Sequence, residues 1–233
     1  MYLENYERYL GTGEKNSEGL DLRTFLESYN PKLYDTPANT VDNIIFTYKE
    51  VDGKIKLCKL LLIKRGNHPS IGWWALPGGF VDFRENLDTA AARELEEETG
   101  IKGLKAVSIG SFGDYDRDPR TRIITTAYVA LVEEGKISAT AGDDAADAKW
   151  FDISVVSQGK ETIAENITNE KFRMTFSAEE IKAEATVLVT RDCTGPLTDT
   201  KYSMISTGNL SGDHAAIILN AMDYIKKELG YMI

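Results

Sequence analysis

Cysteine is scarce in this sequence. Of 233 residues only Cys58 and Cys193 are cysteines, and they lie far apart in no metal-like spacing. We therefore expect neither a small disulfide-stabilised fold nor a cysteine-ligated metal site. Two reduced structural thiols in a cytoplasmic protein are the interpretation that fits.

Long apolar runs are missing as well. No stretch approaches the roughly 18 consecutive apolar residues that a membrane span requires. Residues 1–10 carry Glu4, Glu7 and Arg8 and contain no apolar stretch, which differs from a secretory signal. We therefore expect a cytoplasmic protein that has no membrane partner.

Positive charge is the third shortage. Lysine and arginine number 27 against 37 aspartates and glutamates, which gives a formal net charge of −10. Binding to nucleic acid requires clustered basic residues that neutralise phosphates, so we expect no nucleic-acid partner. An acidic protein also repels a free polyphosphate. An anionic substrate would therefore require a divalent cation or a local basic patch.

The composition is otherwise that of an ordinary globular protein, with 42% hydrophobic and 27% charged residues. The length allows one domain with appendages or two small domains. Runs of β-forming residues between turn residues predict strands over residues 41–48, 56–64, 104–112, 122–133, 171–176, 181–190 and 201–206. Helices are predicted over residues 21–29, 87–99 and 213–229.

These elements divide the chain into four parts. Residues 1–40 form an extension, and residues 41–158 form the main domain. Residues 159–211 form a β-rich insertion, and residues 212–233 form a C-terminal helix that packs on the main domain.

The helix that follows Asn86 is the most strongly predicted element, because both of its ends carry signals. Asn86 can cap its start, and Gly100 stands where helices commonly end in the left-handed conformation. Leu87, Ala91 and Leu95 recur every four residues, so we expect them to form its buried stripe.

Three carboxylates share one face of this helix. Glu94 and Glu98 are four residues apart and Glu97 is three from Glu94, so they fall within about 100° of the helix surface. Clustered carboxylates raise one another's pKa unless a positive charge lies among them. Mg²⁺ prefers a few carboxylates together with phosphate oxygens. A solvated acidic face is the alternative, since glutamate-rich helices are common.

The residues beside the helix favour the metal site over a solvated face. Gly78 and Gly79 allow close backbone approach, and Gly79 offers a carbonyl oxygen as a metal ligand. Arg93 can pair with Glu85 in the preceding loop and hold the loop against the helix. A solvated acidic face would need neither feature.

Residues 79–101 read GFVDFRENLDTAAARELEEETGI, which resembles the Nudix box, G-x5-E-x7-R-E-U-x-E-E-x-G-U with U aliphatic. The resemblance holds at every fixed position of the box: Gly79, Glu85, Arg93, Glu94, Leu95, Glu97, Glu98, Gly100 and Ile101. Nine constrained positions across 23 residues rarely coincide by chance, so the signal is specific.

The Nudix resemblance implies an α/β (α+β) fold, the αβα sandwich with a mixed central sheet, in which the box forms a loop, a helix and a loop. It implies that Glu94 and Glu98 are the main ligands of Mg²⁺, for which Mn²⁺ can substitute. It also implies that Glu97 is a further ligand or orients the attacking water, and that Glu85 and Arg93 are structural.

A wider resemblance covers roughly residues 30–155 and 212–230. It is to bacterial ADP-ribose pyrophosphatase-like Nudix proteins and to NAD-metabolism transcription regulators built on the same domain. The segments that carry it are KRGNHP, WALPGGFVD, FGDYDRDPR, GDDAADAKWFD and DHAAIILNAM. The regulators continue into a winged-helix DNA-binding domain. This chain stops at Ile233, so we expect it to lack that domain.

Three arginines are candidates for substrate binding. Arg65 belongs to the KRGNHP segment, and Arg117 and Arg120 lie in the loop after the strand over 104–112. An arginine beside the site can bind a diphosphate or a terminal phosphate bidentately. The alternative for Arg117 and Arg120 is a turn with local ion pairs to the neighbouring aspartates.

Other residues near the expected site are aromatic or acidic. Phe80 and Tyr115 could stack on an adenine, although a buried aromatic ring usually belongs to the core. Asp143 and Asp144 lie where Nudix enzymes often provide a fourth acidic group, as a ligand or general base. A solvated turn is the alternative for these two, and His214 is interpreted as structural.

We therefore predict a Mg²⁺-dependent Nudix hydrolase that cleaves the diphosphate of a nucleoside diphosphate derivative, with ADP-ribose giving AMP and ribose 5-phosphate. Glu97, Asp143 or Asp144 would take the proton of the attacking water. Two alternatives stay open: a hydrolase of oxidised nucleoside triphosphates, and a module that senses ADP-ribose without cleaving it. We also expect a homodimer in which the N-terminal extension or the β-rich insertion contributes to the contact, because a hairpin at the rim of a small domain exposes an edge strand. The alternative is that both segments fold back on their own domain.

Overall fold

The computed structural model describes residues 6–137 and 145–230. The chain forms two compact units that divide after Thr36. In the first unit, a short 3-10 helix spans Glu7–Tyr9 and helix α1 spans Leu22–Ser28. The carboxylate of Asp21 accepts a hydrogen bond from the backbone N–H of Thr24 at 2.8 Å and so caps the start of α1.

The second unit is built on one large mixed sheet. Its described strands are ordered β10-β9-β8-β7-β2-β1-β6-β5, with β3 paired to β2 and β4 paired to β1. Their bounds are Ala38–Val51 (β1), Lys54–Arg65 (β2), Trp74–Ala75 (β3), Gly78–Phe80 (β4), Val107–Phe112 (β5), Ile123–Glu133 (β6), Ala145–Ala164 (β7), Ile167–Ala178 (β8), Ile181–Asp192 (β9) and Asp199–Ser206 (β10). The β1–β6 pair is parallel and the other pairs are antiparallel.

Two helices cover opposite faces of the sheet. Helix α2 spans Leu87–Thr99 and helix α3 spans His214–Leu229. Ile44 of β1 belongs to a core cluster with α3, whereas its neighbour Ile45 packs with Leu95 of α2. Alternate residues of a strand point to opposite faces, so β1 is apolar on both sides and each such side chain contributes roughly 1.5–3 kcal/mol. The predicted αβα sandwich is confirmed.

The strands after the main domain extend the same sheet. Strand β7 begins at Ala145 and continues to Ala164, so it crosses the predicted boundary at residue 158. The apolar side chains of β8 and β9 that face α3 are buried, among them Met174, Phe176, Val187 and Val189. These residues therefore stabilise their own domain and are not available to a partner.

Two details of the helix prediction were wrong. Asn86 occupies the N-cap position, but its side chain makes no capping hydrogen bond. Leu87 is exposed, whereas Ala90, Ala91 and Leu95 form the buried stripe. The predicted end was correct, because Gly100 takes a left-handed φ of 71°.

Within residues 6–137 and 145–230, no helix combines the length and apolar character that crossing a membrane requires.

The turn between β10 and α3 depends on a glycine. Gly208 has a φ of 54°, and a Cβ at this position would collide with the carbonyl oxygen of Glu184 in β9. The next residue, Asn209, donates a side-chain hydrogen bond to the carbonyl of Lys182 at 2.9 Å. The turn therefore lies directly on the start of β9.

Because of this contact, we predict that Gly208→Ala lowers the free energy of unfolding more than Gly→Ala at a position where only the positive φ disfavours a side chain. Gly103 is the matched control, since its φ is 66° and a Cβ there would meet no atom within 4 Å. We expect Gly103→Ala to cost about 1–2 kcal/mol and Gly208→Ala at least twice as much. Urea unfolding of both variants measures the difference, and equal losses would contradict the packing described for Gly208.

Candidate active site

A cavity of about 640 Å³ opens where β1, β4 and the start of α3 meet. It brings together residues that are far apart in the chain, from the Nudix-like segment, from the end of β2 and from the loop after β5. The residues that line it include Asp42, Arg65, Phe80, Arg93, Glu94, Glu97, Glu98, Arg117, Asp118, Arg120, Asp213 and His214. It is therefore lined by both carboxylates and arginines.

The glycine pair Gly78-Gly79 positions the acidic helix against the sheet. Strand β4 pairs with β1, and a Cβ on Gly78 would collide with the carbonyl oxygen of Val41. A Cβ on Gly79 would lie 2.5 Å from the carboxyl carbon of Glu94. Only glycine lets the backbone approach both neighbours this closely.

Arg93 connects the box carboxylates. Its guanidinium donates two hydrogen bonds to Glu85, at 3.0 and 2.9 Å, as the sequence predicted. It also donates to Glu94 at 2.7 Å and to Glu97 at 3.0 Å. Hydrogen bonding to Arg93 lowers the pKa of Glu85. One arginine thus fixes the loop and orients two of the three predicted site carboxylates.

Glu98 is the most deeply buried of these carboxylates, with 9% of its surface exposed. Burial raises the pKa of Glu98 to about 8, against the opposing effect of a 2.7 Å hydrogen bond from the backbone N–H of Gly78. Burial also raises the pKa of Glu94, although Arg93 opposes this shift. Both carboxylates would ionise more readily beside an additional positive charge.

The donor chemistry of this region fits a hard divalent cation. Within residues 6–137 and 145–230, no three acidic, histidine or cysteine side chains are grouped so that they could hold a metal ion. Mg²⁺ does not need such a group, because it keeps several waters and takes one or two carboxylates together with substrate phosphates. Glu94 and Glu98 both line the cavity and could provide the two carboxylates.

Two arginines and an aromatic ring form a second part of the cavity wall. Arg120 pairs with Asp118 at 2.8 Å, and its guanidinium carbon lies 5.2 Å from the ring centre of Phe80. Arg65 is half-buried and donates to the carbonyl of Pro69 at 2.7 Å. Burial lowers the pKa of Arg65, and the nearby Arg120 lowers it further. No carboxylate of the described chain forms an ion pair with Arg65.

Arg117 lines the cavity but already has a partner. Its guanidinium forms two hydrogen bonds with Asp213, both at 2.9 Å, and its side chain is buried. This pair attaches the loop after β5 to the start of α3. A substrate phosphate would have to compete with Asp213 for Arg117, whereas Arg65 has no such competitor among the residues that the structure describes.

The structure does not bring every predicted residue to the cavity. Tyr115 is 82% exposed and is not part of the wall. Asp143 and Asp144 lie outside the described residues.

Asp42 was missed by sequence reasoning, although it is buried in the cavity wall. Its carboxylate accepts a hydrogen bond from the hydroxyl of Thr125 at 2.7 Å. His214, interpreted as structural, does accept a 2.8 Å hydrogen bond from the N–H of Leu76, but it also lines the cavity. A charged residue just before the apolar run Ile44-Ile45-Phe46 of a predicted strand is the signal that could have revealed Asp42.

Comparison with known proteins is consistent with this geometry. A family model described as NUDIX domain matches residues 36–172. The ADP-ribose pyrophosphatase of Methanocaldococcus jannaschii is 39% identical over 142 residues, which cover 61% of this chain and 76% of that protein. The ADPR responsive transcriptional repressor NtrR of Acinetobacter baylyi is 40% identical over 112 residues. That alignment covers 47% of this chain, which spans less than half, 43%, of the repressor.

A solved structure aligns with nearly the whole chain. The crystal structure of a MutT/nudix family protein from Enterococcus faecalis superposes with a TM-score of 0.63 at 26% identity, covering 97% of this chain and 76% of that one. The superposition therefore includes the strands that follow the main domain.

Burial of Glu98 predicts that part of the folding stability depends on pH, and that Glu98→Gln removes this dependence. Because the pKa of Glu98 is about 8 in the folded state against 4.5 when unfolded, the contribution of Glu98 to folding stability is most favourable below pH 4.5 and becomes less favourable as the pH rises to about 8. In EDTA, we therefore expect Glu98→Gln to gain a few kcal/mol over the natural protein at pH 8 and little at pH 5, since one pKa unit is worth about 1.4 kcal/mol.

Urea unfolding at pH 5, 6.5 and 8 measures this gain. Glu96→Gln is the matched control, because Glu96 lies on the same helix with an exposed side chain. A difference between Glu98→Gln and the natural protein that stays constant with pH would contradict the prediction.

Proposed function

The chain belongs to the NUDIX domain family and is a hydrolase of pyrophosphate bonds, and from this premise we propose that its substrate is ADP-ribose and its cofactor Mg²⁺. The observation that carries the proposal is one cavity in which two half-buried or buried carboxylates, Glu94 and Glu98, lie together with Arg65 and Arg120. Such a site can accept a diphosphate through a divalent cation and through arginine.

Each residue of the site then has a defined task. Glu94 and Glu98 would hold the cation, which when bound offsets the charge of the diphosphate and acidifies a water molecule. Arg93 keeps Glu94 in place, and Arg65 and Arg120 bind phosphate oxygens. The oxygen of water forms a bond to one phosphorus, and the bond from that phosphorus to the bridging oxygen breaks, which gives AMP and ribose 5-phosphate.

The proton of the attacking water requires an acceptor. Glu97 is a candidate, because it lines the cavity and is the most exposed of the three helix carboxylates Glu94, Glu97 and Glu98, although Arg93 already donates to it at 3.0 Å. Asp143 and Asp144 are the other candidates in the sequence. A general base must lie within hydrogen-bond reach of the water, directly or through a second water.

ADP-ribose is favoured by the relatives. The name of the Methanocaldococcus jannaschii protein is that of an ADP-ribose pyrophosphatase, and the Acinetobacter baylyi repressor is named as ADPR responsive. The exposed ring of Phe80 lies under Arg120 in the cavity and offers a surface on which an adenine could stack.

Similarity to the repressor supports a second candidate function, that of a module that binds ADP-ribose without cleaving it. Complete retention of Glu94, Glu97 and Glu98 supports cleavage, since binding alone does not need three carboxylates. A net charge of −10 supports a small-molecule ligand over a nucleic acid.

We also propose that the protein is a homodimer that pairs through the edge of β10. Among the described strands, β10 pairs only with β9, so its outer edge has free backbone groups. Ile205 on this strand is 51% exposed. Open edges of this kind are usually paired or covered, and a two-fold contact covers both copies with one surface.

The catalytic proposal predicts Mg²⁺-dependent release of AMP from ADP-ribose, with no turnover in excess EDTA. We expect Glu98→Gln to lower kcat by roughly 10²–10⁴-fold, the scale of losing one essential catalytic group. Chromatographic measurement of AMP provides the assay, run beside NADH, nucleotide sugars, diadenosine polyphosphates and oxidised dGTP.

Glu96→Gln again serves as the control and should retain activity, because Glu96 does not line the cavity. Tight binding of ADP-ribose without turnover would favour the sensing module, and full activity of Glu98→Gln would remove the proposed role of the helix carboxylates.

The dimer proposal predicts a mass in light scattering of about twice the 25.9 kDa of one chain. Ile205→Lys should shift the equilibrium towards monomer, since a charge on an edge strand opposes strand pairing. Val107→Lys on β5, the opposite edge of the sheet, is the control. A monomeric natural protein, or dissociation caused by Val107→Lys alone, would contradict the proposal.

A further inference from the structure

Two buried polar side chains meet in the cavity wall without touching. The carboxylate oxygen Oδ1 of Asp42 lies 3.8 Å from the ring nitrogen Nε2 of His214. Only 7% of Asp42 and 9% of His214 is exposed, and both line the cavity. Within the part of the chain that the structure describes, neither of these two atoms has a hydrogen-bond partner. We call these residues the Asp42–His214 pair.

The tautomer of His214 is fixed by the backbone. The N–H of Leu76 donates to Nδ1 of His214 at 2.8 Å, so Nδ1 carries no proton and its lone pair is used. In the neutral ring the proton is then on Nε2, the nitrogen that faces Asp42. His214 therefore presents a hydrogen-bond donor to the cavity and cannot act there as a base.

Asp42 presents the complementary acceptor. Its Oδ2 atom accepts from the hydroxyl of Thr125 at 2.7 Å and lies 3.8 Å from a guanidinium nitrogen of Arg117. Arg117 is in turn held by Asp213, the residue before His214. This network fixes the Asp42 carboxylate and leaves Oδ1 free to accept a hydrogen bond from a ligand.

The gap between the two atoms selects the ligand group. A single oxygen can lie about 2.7–2.9 Å from both Nε2 and Oδ1, which is hydrogen-bond distance to each. That oxygen must accept from the histidine and donate to the carboxylate. A hydroxyl does both, whereas an anionic phosphate oxygen or a carbonyl can only accept and an ammonium can only donate.

The pair lies next to the carboxylates that would hold the cation. Asp42 is the register partner of Gly78 across β1 and β4. The N–H of the same Gly78 donates to Glu98 at 2.7 Å. A group held by the Asp42–His214 pair is thus a near neighbour of the diphosphate.

We propose that the Asp42–His214 pair binds a hydroxyl of one of the two ribose units that flank the diphosphate of ADP-ribose. Through this contact the pair makes the enzyme selective for diphosphates that carry a sugar. This inference rests on the function proposed above. His214 is in this role a specificity-determining residue, and Asp42 binds the same oxygen from its other side.

The test compares ADP-ribose with analogues that each lack one ribose hydroxyl, on either sugar, in the natural protein and in His214→Asn. Asparagine retains an acceptor near the position of Nδ1 for the N–H of Leu76 but does not reach the position of Nε2. A hydrogen bond to a charged residue changes affinity on the order of tenfold. With the natural protein, the analogue that lacks the bound hydroxyl should therefore lose about 10-fold in kcat/KM, mainly through KM.

In His214→Asn, ADP-ribose itself should lose about 10-fold, and removal of that same hydroxyl should then cost less than it does in the natural protein, because only the hydrogen bond to Asp42 is left to lose. The penalties of the other analogues should not change. His68→Asn is the matched control, because His68 is exposed and does not line the cavity. Asp42→Asn, read in the same way, replaces His214→Asn if that variant does not fold.

The outcomes separate the two proposals. The inference is overturned if the natural protein cleaves or binds ADP-ribose but the loss in kcat/KM on removal of each hydroxyl is the same in His214→Asn and Asp42→Asn as in the natural protein. In that case the pair holds only water. If the natural protein neither cleaves nor binds ADP-ribose, the proposed function fails and the inference fails with it.

Discussion

The close approach of the Gly78-Gly79 backbone to β1 and to helix α2 is the constraint on which the rest of the site depends. This glycine pair lets β4 pair with β1, brings the carboxylate of Glu94 against Gly79, and gives Glu98 its hydrogen bond at Gly78. The acidic helix is thereby held with its carboxylates turned towards the sheet. The cost is the burial of negative charge, which is why the pKa of Glu98 rises.

The wall of the same cavity counters that charge with arginine. Arg93 pairs with Glu85 in the loop before α2 and orients Glu94, while Arg65 and Arg120 come from the end of β2 and the loop after β5. A local positive field of this kind helps a protein with a net charge of −10 to attract an anion. Arg65 is the clearest example. Burial and the nearby Arg120 both lower its pKa, so an anion bound beside Arg65 would stabilise its charged form.

The part of the cavity at the start of α3 has a different character. Asp42, Thr125, Arg117, Asp213 and His214 form a buried polar network that joins β1, β6, the loop after β5 and α3. Buried polar groups are costly unless they are paired, and here nearly all of them are. The two atoms without a partner among the described residues therefore stand out as contacts for a ligand.

The sequence by itself determined the helix over residues 87–99, its carboxylate face and the Arg93–Glu85 pair, because these depend on spacings of a few residues along one chain segment. It also predicted the sandwich, through the family resemblance. Only the tertiary structure decided that Leu87 is exposed, that Arg117 is held by Asp213 and that Asp42 faces His214. Those contacts join strands, loops and a helix that are distant in sequence, and their geometry follows from sheet register and helix packing, which local patterns do not specify.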